Sequence, residues 1–276
     1  MPATTLEKIG RYGAIYIGYR ESAVPFSYLD ADGKVVGYSW ELCLHIAEAV
    51  RARLDRPDLA VVPVPVTPGS RQTMIESGTI DLKCGALSNT GQRQRTAAFS
   101  VTTFVAEVQA LVRRDAGIAA LKEMQGKVVS TTTGSTSEVY LRALAQRQGL
   151  NFNYRYARDP AAALRQLQNG VADVVALDNV LLKNLLVGLP AADRAGLRVL
   201  DETFAVEPYA IMFRRKDPEF KKLVDDTLIG LMESGEFARI YAKWFTSPIP
   251  PGGIDLDLPM SDLLKQLILT PNDRGV

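Results

Sequence analysis

The chain has 276 residues, and its 32 Lys and Arg residues nearly balance its 31 Asp and Glu residues, giving a formal net charge of +1. This balance argues against a nucleic-acid-binding protein, which normally carries a basic excess, and the 47% content of hydrophobic residues is typical of a globular fold. With 2 Cys and 1 His, a Cys/His metal site and a His-based catalytic triad are both disfavoured.

The first part of the chain predicts alternating strands and helices. The predicted elements are a helix over Thr5–Arg11, a strand over Ala14–Gly18, an extended segment over Lys34–Tyr38, a helix over Trp40–Arg53, a β-rich segment over Asp58–Val66, a short helix over Ser70–Ser77 with Ser70 as its N-cap, and a strand over Ile80–Cys84. This alternation is typical of an α/β fold with a mostly parallel sheet.

A second alternating set follows. It consists of a strand over Lys127–Ser130, a helix over Ser137–Gln148, a strand over Asn153–Tyr156, a helix over Pro160–Gln168 that Gly170 closes, a strand over Ala172–Leu177 and a helix over Asn179–Leu186. The two sets predict two similar α/β lobes.

Two similar segments lie between and after these sets. Gln109–Asp115 reads QALVRRD and Tyr209–Asp217 reads YAIMFRRKD, each an apolar strand followed by an Arg pair and an Asp. They are either surface-ending strands or two antiparallel crossings between lobes. In the second interpretation residues 1–110 and 209–276 form lobe one and residues 111–208 form lobe two. The helices Glu219–Glu233 and Phe237–Phe245 and the Pro-rich tail from Pro248 then pack on lobe one.

Three arginines follow three successive predicted strands of the first set. They are Arg20, Arg71 and Arg93. In an open α/β sheet ligands bind beyond the carboxyl ends of the strands, and a guanidinium can hold a carboxylate with two hydrogen bonds. A single surface Arg is ordinary, but three at equivalent positions favour an anion site.

The second set offers two further candidate positions. The turn Thr131–Glu138, TTTGSTSE, opens a helix and lacks the Walker pattern, so it predicts either a carboxylate site or simple N-capping by Ser135 or Thr136. Asp178 ends a strand and is either a partner for an ammonium group or an N-cap.

The remaining reactive residue types are few. His45 lies two residues from Cys43 in a helical pattern, and we interpret it as structural. Cys43 and Cys84 are either a disulfide, which would indicate an oxidising compartment, or two buried free thiols.

The chain also lacks segments that direct a protein to a membrane. No stretch approaches the roughly 18–20 apolar residues of a spanning helix, and MPATTLEKIGRYG has no apolar signal-peptide region. The protein is therefore either cytosolic or a mature secreted chain with a starting Met added.

The ordered motifs resemble a known family. GYRES with VPFSY, VVGYSWELC, CGALSNTGQRQRTAAFS, TTTGSTSEV, LDN, KWF and SPIPP are similar to the periplasmic solute-binding proteins of polar amino-acid ABC importers, in the glutamate/aspartate-binding branch. The similarity runs from about Leu6 to Asp273. It implies a two-lobed periplasmic-binding-protein clamshell of type II that closes by hinge motion on an amino acid.

The resemblance also implies a role for each site residue. Arg93 would hold the α-carboxylate together with groups around Ser135 and Thr136, Asp178 would take the α-ammonium, and Arg20 and Arg71 would take a side-chain carboxylate. The implied ligand-binding set is Arg20, Arg71, Ser88, Arg93, Thr132, Ser135, Thr136 and Asp178. No cofactor or metal is expected, and the expected partners are glutamate or aspartate and an inner-membrane ABC permease, for a monomeric protein in the periplasm.

Three positions depart from the family pattern. The acidic-ligand members carry Ser at the positions of Ala86 and Pro68 and His at that of Pro160, so each of these positions loses a polar contact for the ligand side chain. The alternative is an enzyme similar to cyclohexadienyl or arogenate dehydratase, which shares the fold and would need a general acid. Glu21 is the nearest candidate for that acid.

Overall fold

The computed structural model describes residues 4–276 and divides the chain into two units. Unit one contains the residues up to Val105 together with Pro208–Val276, and unit two is Ala106–Glu207. Among the described residues no helix has the length and apolar character that crossing a membrane requires.

The helices and strands alternate through most of the chain. The helices are α1 (Thr5–Tyr12), α2 (Tyr38–Leu54), α3 (Arg71–Glu76), α4 (Gly91–Gln94), α5 (Thr136–Gln148), α6 (Pro160–Gln168), α7 (Asn179–Val187), α8 (Ala191–Ala195), α9 (Pro218–Glu233), α10 (Glu236–Phe245) and α11 (Asp262–Leu269), with 3₁₀ turns at Arg114–Ala116 and Leu121–Met124. The strands are β1 (Ala14–Tyr19), β2 (Ser22–Ala23), β3 (Ser27–Leu29), β4 (Val35–Val36), β5 (Ala60–Pro65), β6 (Leu82–Lys83), β7 (Ala97–Phe99), β8 (Phe104–Arg113), β9 (Val128–Thr132), β10 (Asn153–Ala157), β11 (Val174–Asp178), β12 (Leu197–Val199), β13 (Ala205–Tyr209) and β14 (Met212–Arg214).

Unit one has a five-stranded sheet in the order β5-β1-β6-β14-β7. Strands β5, β1 and β6 run parallel, and β14 is antiparallel to both of its neighbours. Strand β5 lies at the sheet edge and pairs with β1 alone. Pro63 and Pro65, which lack a backbone N–H, are tolerated there because no strand pairs with the outer side of β5. A small antiparallel sheet, β2-β3-β4, follows β1 in the chain.

Unit two has a sheet in the order β10-β9-β11-β8-β12, with β13 also paired to β8. Both faces of its central strand β11 are buried. In β11, Val174 and Ala176 enter one apolar cluster, whereas Val175 and Leu177 enter another. Because successive side chains of a strand point to opposite faces, each face of the sheet packs against its own apolar cluster.

Local signals explain where several helices begin. Thr4 and Glu7 form a capping box at α1, with Thr4 Oγ1 accepting the Glu7 N–H at 3.2 Å. Asp159 and Asp217 cap α6 and α9, and each of these helices starts with a proline. Gly170, with φ of 70°, follows the end of α6 as predicted. Ser70 is different, because its Oγ accepts the Thr67 N–H and makes no capping bond to α3.

The two segments that resemble each other are not where the chain passes between units. The boundaries fall after Val105 and after Glu207, before both segments. The first segment is held in unit two because β8 pairs with β11 from Val108 onward. The second is broken at Ala210 and Ile211, and its β14 part joins the sheet of unit one.

The core of unit one is built on aromatic side chains. Phe26 packs against Phe104 with ring centroids 5.0 Å apart, and Phe245 stacks on both Phe104 and Tyr241. Helix α2 packs on α9 and α10, and α11 packs on α9. The C-terminal helices therefore belong to unit one.

A disulfide joins Cys43 of α2 to Cys84, directly after β6. The two Cα atoms are 6.5 Å apart, and both side chains are fully buried. The bond closes a loop with a sequence separation of 41 residues and fixes α2 to the carboxyl end of a central strand.

Protein folded under oxidising conditions should show no free thiol when it is denatured without reductant. The Cys43→Ala variant should then show one thiol, from Cys84. We expect the Cys43→Ala, Cys84→Ala variant to lose about 3 kcal/mol of unfolding free energy, because the long loop is no longer closed in the unfolded chain. Two free thiols in the unmodified protein would contradict the disulfide.

A buried ion pair provides a second test of the fold. Lys8 Nζ lies 2.8 Å from Asp81 Oδ1, and the Asp81 side chain is 2% exposed. Burial raises the pKa of Asp81, and the bonds from Lys8 and from the Tyr16 N–H oppose that rise. Replacing Lys8 with Met leaves this carboxylate buried without its cation, so we expect a loss of about 3 kcal/mol in unfolding free energy at pH 7.

The pH dependence of that loss follows from the sign of the shift. A carboxyl group with a raised folded-state pKa destabilises the fold above that pKa, so the loss should shrink as the pH is lowered and Asp81 is protonated. The matched control is Lys222→Met, whose pair with Asp226 is exposed and should change urea denaturation little. Equal losses in both variants would show that burial of the pair is unimportant.

Candidate functional site

The three predicted arginines of unit one lie close to the same sheet edge. Arg20 directly follows β1, Arg71 opens α3 after β5, and Arg93 lies in α4 after β6. Because β1, β5 and β6 are parallel, their carboxyl ends share one edge of the sheet. The fold therefore brings together three side chains that are far apart in the sequence.

Arg71 is the most enclosed of the three. Its side chain is buried, and burial together with the charges of Arg93 and Arg20 lowers its pKa to about 9, a change that Tyr209 partly opposes. Arg71 remains charged at neutral pH. The site consequently holds like charges near one another in a place that water reaches poorly.

Lys83 is a fourth cation of this group, and the sequence did not predict it. Lys83, in β6, is fully buried, and its Nζ donates to the Ala86 carbonyl at 3.4 Å. Burial, followed by the charges of Arg71, Arg20 and Arg93, lowers its pKa well below the usual value. The available signal was a lysine in the predicted strand Ile80–Cys84, between the apolar residues Leu82 and Cys84. We call Arg20, Arg71, Lys83 and Arg93 the cationic edge.

The loop between β6 and α4 positions Arg93. Thr90 Oγ1 accepts the Arg93 N–H at 3.2 Å and so caps α4. The Arg93 Nη1 donates to the Ser88 carbonyl at 2.7 Å, and Ser88 forms an antiparallel bridge with Tyr209. The guanidinium is therefore folded back over its own loop, beside buried Ser88.

Residues 273–276 also hold the loop between β6 and α4. The Gly91 N–H donates to the Val276 carbonyl at 2.8 Å, and the Val276 N–H donates to the Asn89 carbonyl at 3.1 Å. The side-chain amides of Asn89 and Gln94 both donate to the Asp273 carbonyl at 2.9 Å. The last residues thus fix the backbone that carries Ser88 and Arg93.

Gly85 gives the cationic edge its close packing. A Cβ at this position would lie 2.7 Å from Ser27 Oγ and 2.9 Å from Lys83 Nζ, and φ is +146°. Buried Ser27 accepts the Arg20 N–H at 3.0 Å and donates to the Cys84 carbonyl at 3.1 Å. Glycine is required here because both the space and the backbone conformation exclude a side chain.

Unit two places its predicted residues at one edge of its own sheet. Strands β9 and β11 are parallel neighbours, Thr132 ends the first, and Asp178 ends the second. Ser135 precedes α5, but its Oγ lies 3.0 Å from Thr131 Oγ1 and makes no capping bond. Asp178 likewise precedes α7 without a side-chain capping bond, so the capping alternative is not the one observed for either residue.

Two further features of this edge suit an anion or an amine. Thr136 is the first residue of α5, a helix of 13 residues whose N-terminus carries partial positive charge. The Thr132 side chain is buried, and its Oγ1 has no hydrogen-bond partner within residues 4–276. Unit two can therefore offer hydroxyl and N–H donors near one carboxylate.

The remaining residues named from the sequence are His45, Glu21 and the three that depart from the family pattern. His45 is half-buried on α2, and Glu21 is exposed after β1. Ala86 provides the carbonyl that Lys83 contacts, Pro68 lies before α3, and Pro160 starts α6. Over the described part of the chain, no group of three His, Cys, Asp or Glu side chains is arranged to hold a metal ion.

Comparisons with known proteins identify a family and several relatives. Residues 15–247 match the family described as bacterial extracellular solute-binding proteins, family 3. The glutamate/aspartate import solute-binding protein of Salmonella typhimurium is 38% identical over 99% of this chain and 90% of its own. The L-glutamate/L-aspartate-binding protein of Pseudomonas aeruginosa is 37% identical over 98% and 89%, respectively. An ancestral arginine-binding protein bound to arginine aligns with a TM-score of 0.73 and 28% identity over 84% of this chain and 98% of that one.

Proposed function

We propose, since the chain belongs to the bacterial extracellular solute-binding proteins of family 3, that it captures glutamate or aspartate in the periplasm and delivers it to an ABC importer. The relatives whose names include these ligands span nearly the whole chain, which supports a binding protein over the dehydratase alternative. The disulfide Cys43–Cys84 supports an oxidising compartment.

The observation that carries the proposal is the cationic edge. Arg71 is 8% exposed, and the charges of Arg93 and Arg20 lie near enough to lower its pKa. Burying several like charges is unfavourable unless anions neutralise them. A dicarboxylic amino acid brings two carboxylates to such a site, whereas a neutral amino acid brings one.

Each residue then has a distinct task. By the family resemblance, Arg93 would hold the α-carboxylate together with groups around Thr132, Ser135 and Thr136. Ser88 would bond near the substituents of the α-carbon, and Asp178 would take the α-ammonium. Arg20 and Arg71 hold the side-chain carboxylate. Three arginines against one aspartate leave a charge of about +2 for a ligand of net charge −1. Hinge closure on the ligand, a permease partner and a monomeric state remain predictions of the family resemblance.

Calorimetry with the twenty amino acids tests the ligand class. We expect glutamate or aspartate to bind with a dissociation constant of about 1 μM or lower, near −8 kcal/mol, and neutral amino acids to bind more weakly. The protein should first be unfolded and refolded to remove any ligand retained from purification. Absence of binding by all twenty, or strongest binding by a cationic amino acid, would contradict the proposal.

Arginine variants test the division of tasks. Arg93→Ala should weaken binding of every amino acid by about 100-fold, because the buried charge–charge hydrogen bonds to the α-carboxylate are lost. Arg71→Ala should mainly reduce the preference for glutamate over glutamine. Arg95→Ala is the matched control, since Arg95 is exposed only two residues from Arg93. Equal losses for glutamate and glutamine in Arg71→Ala would contradict these roles.

A further inference from the structure

Lys83 is a buried amine that the assigned binding roles do not use. Its side chain is 0% exposed, and its Nζ is 3.4 Å from the Ala86 carbonyl oxygen. The Nζ also lies 2.9 Å from where a Cβ of residue 85 would be, so the side chain folds back beneath the turn at Gly85. No carboxylate within residues 4–276 forms an ion pair with it.

The same strand region shows how a buried charge is normally balanced. Asp81, two residues earlier, is also buried, but its carboxylate bonds to Lys8 Nζ and to the Tyr16 N–H. Lys83 instead contacts a single carbonyl at the long end of the hydrogen-bond range. An ammonium group in such a place is unfavourable, and an uncharged amine is tolerated.

The charges around Lys83 are mostly positive. Arg20 follows the neighbouring strand β1, and Arg71 and Arg93 lie on α3 and α4. The other charged or titratable groups lie on the elements around it. They are Asp81 on β6, which bonds Lys8, Tyr16 and Tyr19 on β1, Glu21 after β1, Glu76 on α3, Arg214 on β14 and Tyr209 on β13. Burial and the three arginines together lower the pKa of Lys83 well below its usual value and so favour loss of its proton.

We propose that Lys83 gains a proton when an anion binds at the cationic edge, so that ligand capture is coupled to proton uptake from the solvent. The anion's carboxylates neutralise the arginines and supply the negative charge that an Nζ ammonium needs. The inference rests on the proposed function for the identity of the ligand, glutamate. Its basis in unit one, the burial and contacts of Lys83, is independent of that identity.

The sign of the linkage is fixed by this scheme. The complex binds more protons than the free protein, so affinity falls as the pH rises through the range in which only the complex is protonated. Uptake approaching one proton lowers the affinity by up to about tenfold per pH unit. Arg71 does not produce this effect near neutrality, because its pKa, although lowered, is about 9.

The test is calorimetry of glutamate binding at pH 7 in MOPS and in Tris, because phosphate is itself an anion that would compete for the cationic edge. These buffers differ in their ionisation enthalpy, so the difference in measured heat gives the number of protons taken up. We expect clear uptake by the unmodified protein, an affinity that falls from pH 6 to pH 8, and neither effect in Lys83→Met. Release of protons, or no exchange, by the unmodified protein overturns the proposal.

Two controls separate Lys83 from other groups. His45 is the one histidine of the chain, and histidine is the residue type whose ordinary pKa lies closest to neutrality, so His45→Gln is the first control and should retain the uptake. Lys222→Met removes an exposed lysine from unit one and should also retain it. Uptake that disappears in His45→Gln and persists in Lys83→Met assigns the proton to histidine and overturns the proposal.

A direct measurement covers the case in which glutamate does not bind or Lys83→Met does not fold. NMR of the protein with ¹³C-labelled lysine Cε reports the protonation of each lysine, and Lys83→Gln assigns its signal. We expect the Lys83 amine to be uncharged at pH 7 in ligand-free protein and to become charged with glutamate or, failing that, with inorganic sulfate. A charged amine in the ligand-free protein overturns the proposal, whereas failure of glutamate alone to bind overturns the proposed function.

Discussion

The constraint on which the structure of unit one depends is the burial of positive charge at a single sheet edge. Arg71 and Lys83 are both buried, and Arg20 and Arg93 are near enough to lower the pKa of each. Like charges repel more strongly where water is excluded. The surrounding fold therefore has to hold these side chains together against a force that would separate them, and the contacts of the edge show how it does so.

Most of those contacts involve the backbone. The disulfide fixes Cys84 to α2, and Ser27 joins the backbone at Arg20 to the Cys84 carbonyl. Gly85 allows the turn under which the Lys83 side chain folds back. The C-terminal residues fix the loop of Arg93 through the carbonyls of Asp273 and Val276. Such support pre-organises the arginines, so that less conformational freedom is lost when an anion arrives. Residues far apart in the chain thus support the cationic edge.

The sequence predicted the parallel strands, the helices that alternate with them, and the placement of three arginines after strand ends. These features are visible in the sequence because the spacing of hydrophobic residues and the position of a residue after a strand are local. It did not predict Lys83, since its importance depends on neighbours contributed by α3, α4 and β1. The role of the C-terminal residues was missed for the same reason. Helix α11 was missed although Ser261 caps it and its sequence DLLKQLIL is helical in pattern, because the nearby prolines suggested an extended tail.

The chemistry of the two cation types gives the cationic edge a selectivity that arginines alone would not have. A guanidinium keeps its charge under nearly all conditions, whereas a buried lysine amine gains or loses its proton according to its surroundings. The charge on Lys83 therefore depends on how much negative charge the ligand brings. A ligand with one carboxylate neutralises only part of the charge of the arginines, so protonation of Lys83 stays unfavourable. A ligand with two carboxylates makes that protonation favourable, and the new ammonium in turn strengthens the hold on the second carboxylate. The preference for an acidic side chain is thereby increased by a group that need not touch it.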